Sequence, residues 1–379
     1  VGGEGIELQR EPDLIREDRD PGDAIGSNHA DRTGHEHVDV AQDVGLELSA
    51  QEGPTNELQQ VTKPPVEPRP PAAPQERDGQ VGIEPPDDRI ESLAEREFSE
   101  NISRMSLPDL PSNTSERRSR PLPRVIAIAN QKGGVGKTTT TVNLGAALAE
   151  LGYRVLVVDL DPQGNATSGL GIDSRNYESS MYDVVMREAP LEDCIEPTSV
   201  QNLFLTPANI NLAGVEIELV SAFSRELKLK KALEPVVDDF DFVLIDCPPS
   251  LGLLTVNGLA AAHEVLVPIQ CEYYALEGLS QLLRNVQLVA TNLNEGLEVS
   301  TIVLTMYDAR TRLSFEVADE VRRHFRNLVC RSIIPRTVRL SEAPSFGQPI
   351  TVFDPSSRGA TAYRELAKEV SNGASSRAG

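Results

Sequence analysis

Tryptophan is absent from this 379-residue chain, and aromatic residues make up only 4 % of it. The shortage is uneven. Residues 1–120 contain one aromatic, Phe98, beside 13 prolines. A segment so poor in large apolar side chains cannot bury enough surface to offset the entropy of ordering it. Cysteine is scarce too. Cys194, Cys247, Cys271 and Cys330 include no C-x-x-C pair, so neither a metal knuckle nor a disulfide framework is suggested; reduced, buried thiols are expected. No apolar run reaches bilayer-spanning length and no signal-peptide core opens the sequence, so a soluble, cytoplasmic chain without membrane insertion is expected. Basic residues are outnumbered, 36 against 58 acidic ones, for a formal net charge of −22. Residues 1–120 carry −14 of it, from 27 acidic and 13 basic residues. Taken over the whole chain, that balance disfavours nucleic acid as a partner.

Residues 1–120 therefore read as a disordered, acidic, proline-rich tail. "VTKPPVEPRPPAAPQ" (61–75) favours extended, polyproline-like chain. "DDRIESLAEREFSENISRM" (87–105) sketches a loose helical face through Ile90, Leu93 and Phe98, in a stretch that otherwise reads as coil.

What is present begins near residue 121. Residues 121–372 are rich in Val, Ile, Leu, Ala and Gly, enough for one sizeable α/β core, and 373–379 read as a flexible end. "RVIAIA" (124–129), "RVLVVDLDPQGN" (154–165), "NLFLTPA" (202–208), "FDFVLIDCPPS" (240–250), "HEVLVPIQCE" (263–272), "VSTIVLTMYD" (299–308) and "LVCRSIIPR" (328–336) read as buried strands. Helical patterns separate them, among them 138–151, 275–292 and 314–327. The expected fold is a mostly parallel twisted sheet with helices on both faces, with ligands at the carboxyl ends of the strands.

At the end of the first strand stands "ANQKGGVGKTTTTVNLG" (129–145). Gly136, Lys137 and Thr138 end a phosphate loop of the form G-x-x-x-x-G-K-[ST], but Gln131 replaces its first glycine and a second lysine, Lys132, follows. Gly133, Gly134, Val135 and Gly136 offer backbone N–H groups to phosphate oxygens, with Thr139 just inside the helix. Lys137 is expected at the β- and γ-phosphates and Thr138 on Mg²⁺. Asp246 closes the apolar run "FVLI", as a Walker-B carboxylate does, and Asp159 and Asp161 close the strand after the loop's helix. Either of those two could hold the magnesium shell or the attacking water.

"KGGVGKTT", "VLVVDLDPQGNATSGLG", "DFVLIDCPPSLGLLTVNGL", "LTMYDART", "IIPRTVRLSEAPSFGQPI" and "YRELAKEV" together resemble the ParA/Soj family of chromosome-partitioning ATPases, a branch of the deviant Walker-A P-loop ATPases. The resemblance spans about residues 124–370. It implies an ATPase that uses ATP and Mg²⁺. It also implies an ATP sandwich dimer in which Lys132 reaches the partner subunit's phosphates. Lys137 then serves its own phosphates, Asp161 positions water and contributes to the metal shell, and Asp246 lies near magnesium. Met306, Pro335 and Arg336 fall where the family contacts adenine. The resemblance further implies non-specific binding to nucleoid DNA and a ParB-type partner that stimulates hydrolysis during chromosome or plasmid segregation.

The charge distribution is compatible with DNA. Residues 309–370 hold 11 Lys+Arg and 7 Asp+Glu, a local +4. Arg310 and Arg339 match family positions that contribute to DNA binding, and Arg358 belongs to the same basic stretch. Arg322, Arg323 and Arg326 alternate with Glu316, Asp319 and Glu320, which also reads as a solvated helix face. Three other readings compete. A MinD-type membrane-surface regulator calls for a carboxyl-terminal amphipathic helix, unlike the short, mixed-charge "YRELAKEVSNGASSRAG". A nitrogenase-reductase-like carrier calls for cluster cysteines, which Cys247 and Cys271 do not match. A non-hydrolysing adaptor would have no use for Asp161.

Overall fold

The computed structural model describes residues 120–372, apart from 174, 176, 273 and 274. The expected acidic tail, its helical face at 87–105 and the end at 373–379 lie outside the described residues. Strands β1 (Arg124–Ile128), β2 (Val155–Asp159) and β5 (Phe242–Asp246) are buried at every position. Strands so uniformly buried must be covered on both faces, the situation of a parallel sheet. With β3 (Glu196–Pro197), β4 (Leu203–Thr206), β6 (Glu264–Gln270), β7 (Glu298–Tyr307) and β8 (Val329–Pro335), they form one eight-stranded sheet in the order β3-β4-β2-β5-β1-β6-β7-β8. Every neighbouring pair is parallel except the two-residue β3, which runs antiparallel to β4.

Alternate strand residues feed two cores. Ile126, Ile128, Val157 and Leu244 pack with Leu144 and Leu148 of α1 (Lys137–Glu150) and with Tyr363 and Leu366 of α5 (Arg358–Ser371). Val125, Ala127, Val158 and Ile245 belong to the opposite layer. There they join Leu259 of α2 (Leu253–Ala261), Leu282 of α3 (Ala275–Asn292) and Val321 of α4 (Arg312–Phe325). α1 lies close on the sheet because Gly145 has no Cβ. One placed there would stand 3.3 Å from both Leu203 and Val157.

The register sets up the site. Ile128 and Asp159 both pair with Asp246, so β1, β2 and β5 end level with one another. The strand read over 154–165 stops at Asp159, so Asp161 does not close it. The Asp159 carboxylate accepts the backbone N–H of Asp161 at 3.1 Å and that of Thr167 at 2.8 Å, which turns the chain into a short helix at Asn165–Gly169. Asp161 therefore sits on a turn. The short helices between 165 and 239 and the antiparallel β3 left no legible period in the sequence.

The opposite end of the sheet carries a buried ion pair. Arg124 grips Glu264 through two bonds of 2.7 and 2.8 Å and also donates to the Val370 carbonyl, and Arg120 adds a 2.7 Å contact to Glu264. Burial pushes the Glu264 carboxyl up, but the hydrogen bonds and charges of Arg124 and Arg120 outweigh it, so Glu264 titrates below its usual value. Glu264→Gln leaves the Arg124 guanidinium buried without its counter-charge, and a loss of about 3 kcal/mol at neutral pH is expected. A depressed carboxylate contributes stability above its unfolded pKa and loses it as pH falls through the folded one. The gap between parent and variant in denaturant titrations should therefore close as pH drops below the ordinary glutamate range. A gap independent of pH would assign the loss to packing.

Candidate nucleotide site

The loop after β1 is fixed from both ends. Asn130 donates to the Pro268 carbonyl at 2.8 Å and accepts from the Lys132 N–H at 3.0 Å, tying the loop to β6. Thr305 of β7 donates to the Val135 carbonyl at 2.8 Å. Gly134 and Gly136 have φ of +75° and +87°, a left-handed backbone that side-chain-bearing residues rarely adopt. Gly136 then caps α1. The two turns aim successive N–H groups at one concavity in front of a helix N-terminus, the geometry that binds phosphate.

The two lysines of the loop occupy different surroundings. Lys137 is buried, its Nζ 3.4 Å from the Lys132 carbonyl oxygen. Burial pulls its pKa down, and the charges of Asp246 and Asp161 partly restore it. Lys132 is turned to the rim, where its Nζ pairs with Glu272 at 3.2 Å and its side chain keeps 35 % of its exposure. Glu272, Asn130 and Thr305 carried no sequence signal, because each acts on the loop from more than a hundred residues away or through a local backbone bond.

The carboxylates also separate. Asp246 is fully buried and accepts from Thr138 Oγ1 at 2.7 Å and Thr141 Oγ1 at 2.8 Å. Burial pushes its carboxyl well up, and Asp159 nearby adds to the shift. Asp159 is fully buried as well and is raised mainly by burial, but its oxygens already serve the turn and the Thr167 hydroxyl, at 2.7 Å. Asp161 is 6 % exposed, and its carboxylate accepts the Gln163 N–H at 3.0 Å. Of the two candidates for a water-facing carboxylate, Asp161 is thus the less committed.

Met306 lies over the loop, with φ of +52° and its methyl 3.9 Å from where a Cβ on Gly136 would stand. Pro335 pairs with Tyr307 across β7 and β8, and the Arg336 N–H donates to the Tyr307 carbonyl at 3.0 Å. These three residues share the end of the sheet that holds the loop. Gly133, Gly134 and Thr139 remain at least partly exposed there, while Val135 is buried. Arg310, Arg339 and Arg358 are exposed residues outside the loop. Arg310 forks onto Asp308 at 2.9 and 2.7 Å, and Arg339 contacts Glu342 at 3.0 Å and Asp354 at 3.5 Å.

A family model described as an AAA domain matches residues 123–299. The sporulation initiation inhibitor protein Soj of Bacillus subtilis (strain 168) is 59 % identical over 247 residues, 65 % of this chain and 98 % of Soj. The chromosome partitioning protein ParA of Caulobacter vibrioides (strain NA1000 / CB15N) is 53 % identical over 249 residues, 65 % of this chain and 93 % of that protein. The chain belongs to the ParA/Soj family of chromosome-partitioning ATPases. Among solved structures, cobyrinic acid a,c-diamide synthase from Mycobacterium smegmatis with bound ATP analogue and magnesium is 43 % identical, with a TM-score of 0.58 over 66 % of this chain and 94 % of that one.

This ParA/Soj-family protein is a partition ATPase, and ATP and Mg²⁺ are its substrate and cofactor. Its residues suit the ion. Among the described residues no group of three His, Cys, Asp or Glu side chains could cage a metal. Magnesium in such enzymes needs only one or two protein oxygens beside the phosphates, and the Thr138 hydroxyl and Asp246 carboxylate lie together at the loop. When bound, the ion supplies charge neutralisation to the transferring phosphoryl group. Among the described residues no helix is long and apolar enough to cross a membrane.

Proposed function

We propose that this ATPase, with residues 121–372 as its ATPase domain between the acidic tail and the short carboxyl end, works as an ATP-switched dimer that binds DNA without sequence preference. ATP occupies the loop, with Gly133 to Thr139 around its phosphates and Met306, Pro335 and Arg336 toward its base. Lys137 neutralises the phosphates of its own subunit. Thr138, Asp161 and Asp246 hold the magnesium shell, and Asp161 orients the attacking water. Lys132 crosses to the phosphates of a second subunit. A ParB-type DNA-binding partner stimulates turnover, which releases the protein from the nucleoid and drives segregation of a chromosome or plasmid.

The observation that carries this reading is the split between the two lysines. One is buried inside the loop; the other is at the rim on a half-buried carboxylate that a phosphate could replace. A cation already committed to its own loop needs no duplicate there. A cation on the rim suits phosphates arriving from outside.

The DNA surface is assigned to Arg310, Arg339 and Arg358. Arg310→Glu and Arg339→Glu should each lower affinity for two unrelated duplexes by roughly tenfold or more, because a contact repeated in both subunits turns from attraction to repulsion. The two duplexes should lose affinity alike, since phosphates carry no sequence. The slope of log affinity against log salt should flatten, while ATP-dependent dimerisation persists. Unchanged affinity and slope in both variants would move the surface elsewhere.

A further inference from the structure

Two loops of the chain meet glycine to glycine. The first leaves the turn that carries Asp161, and each step of it is bonded to the one before. The Gly164 N–H donates to the Asp161 carbonyl at 2.9 Å, the Ser168 N–H to the Gly164 carbonyl at 3.0 Å, and the Ile172 N–H to the Thr167 carbonyl at 3.1 Å. With Thr167 held by Asp159, residues 159–172 form one block around the short helix Asn165–Gly169. The block ends at Gly171, whose φ of +77° closes the helix with a left-handed residue. The second loop follows the short helix Val338–Glu342 and closes the same way. There the Gln348 N–H donates to the Ala343 carbonyl at 3.4 Å, and Gly347 has φ of +61°.

The two closures touch. A Cβ built on Gly347 would stand 2.8 Å from the Gly171 Cα, and one on Gly171 would stand 2.9 Å from the Gly347 carbonyl oxygen. Favourable carbon contacts begin at about 3.5 Å, so a side chain at Gly347 parts the loops by about 0.7 Å. The second loop is itself anchored to the helix of the phosphate loop. Asn143 of α1 accepts the Ile350 N–H at 2.6 Å and donates to the Thr139 carbonyl at 2.7 Å. Ala166 and Leu170 of the Asp161 block share a core with Leu340, Ala343 and Ile350. Beside the block's helix opens a cavity of about 670 Å³, lined by Gln163, Thr167, Ser168, Ala208 and Asn209. Gly347 is thus a point where the Asp161 block rests on a support tied to the nucleotide loop's own helix.

We infer that Gly171 and Gly347 are positioning residues for ATP hydrolysis: their contact sets the place of Asp161 relative to the phosphate loop. Neither glycine belongs to that loop. Both act through Asp161, so the inference rests on the water-orienting role proposed above for its carboxylate. Hydrolysis is more sensitive to such a displacement than binding is. Misplacing a reacting or orienting group by about 1 Å can cost on the order of 100-fold in rate. ATP, on the same reading, is held by the loop N–H groups and Lys137, which stay in place when the Asp161 block shifts.

Three variants of the full chain test the inference. Gly347→Ala adds the Cβ and strains the backbone. Gly347→Asn adds the same Cβ with less strain, because Asn tolerates a left-handed backbone, and it carries the test if Gly347→Ala does not fold. Gly152 ends α1 with φ of +93°, and nothing stands within 4 Å of where its Cβ would be, so Gly152→Ala carries the strain alone. Both Gly347 variants should slow single-turnover hydrolysis by about tenfold or more. Their affinity for a non-hydrolysable ATP analogue should stay within about threefold of the parent. Gly152→Ala should lower the melting temperature without slowing hydrolysis. The deciding readout is a cycle with Asp161→Ala. Adding Gly347→Asn to that variant should cost no more than about a further twofold, because the group it positions is gone. Losses that multiply, or a loss of affinity that matches the loss of rate, would assign the effect to the fold at large and overturn the inference. A slow Asp161→Ala beside a parental rate in Gly347→Asn would overturn this inference alone. A parental rate in Asp161→Ala would overturn the Asp161 assignment, and this inference with it.

Discussion

Lys137→Ala should lower affinity for ATP by about 100-fold or more, which is roughly 2.7 kcal/mol or more. The side chain is the buried cation of the phosphate loop, held against the Lys132 carbonyl and within the fields of Asp246 and Asp161. Charge-assisted hydrogen bonds are about twice as strong as neutral ones, and burial spares them from competition with water. Alanine removes the cation while both carboxylates remain, so incoming phosphates meet net repulsion. Lys132→Ala should behave differently. Its ammonium lies on the rim with Glu272. ATP should therefore still bind the monomer with affinity within about threefold of the parent, while ATP-dependent dimerisation is lost. Calorimetry for affinity and sedimentation velocity for assembly separate the two variants. A Lys132→Ala protein that dimerises normally with ATP would remove the trans role, and a Lys137→Ala protein with parental affinity would remove the cis role.

Asp161→Ala should slow turnover by about 100-fold or more while leaving ATP affinity little changed. A positioned acid–base or water-orienting group contributes on the order of 10²–10⁴ to rate, and Asp161 stands on a turn beside the phosphate loop rather than inside it. The variant should accumulate as an ATP-bound dimer that stays on DNA. Asp159→Ala is the control with the opposite signature. Its carboxylate holds the turn and Thr167, and Thr167 in turn accepts the Ala208 N–H at 3.0 Å. Removing it should lower the melting temperature together with activity. Single-turnover phosphate release, read beside thermal melts, distinguishes them. If Asp161→Ala hydrolyses ATP at the parental rate, the water-positioning role passes to another group.

The parts of the site that were legible in the sequence are contiguous or sit at the end of an apolar run. Gly136, Lys137 and Thr138 announce a phosphate loop because strand, glycine turn and helix start follow one another without a gap. Asp246 announces itself because four buried residues precede it. The choice between Asp159 and Asp161 was not legible, since it depends on Thr167 and on a backbone N–H at Ala208, some forty residues on. Asn130, Thr305 and Glu272 were missed for the same reason. α2 left no helical period because it is packed against other elements on most sides, and a buried helix has no polar stripe to mark its turns. The arginines were visible as a count, but only the structure shows Arg310 forked on Asp308 and Arg339 paired with Glu342.

The bond from Thr305 to Val135 has a further consequence. Thr305 braces the phosphate loop, and five residues later the same strand end delivers Arg310. A nucleotide that reshapes the loop therefore pulls on the strand that presents this arginine. Linkage is reciprocal in free energy: whatever factor ATP contributes to DNA affinity through this connection, DNA must return to ATP affinity. On the proposed reading, in which Arg310 touches DNA, the strand is a lever with both arms loaded, and DNA should itself hold ATP more tightly in the site.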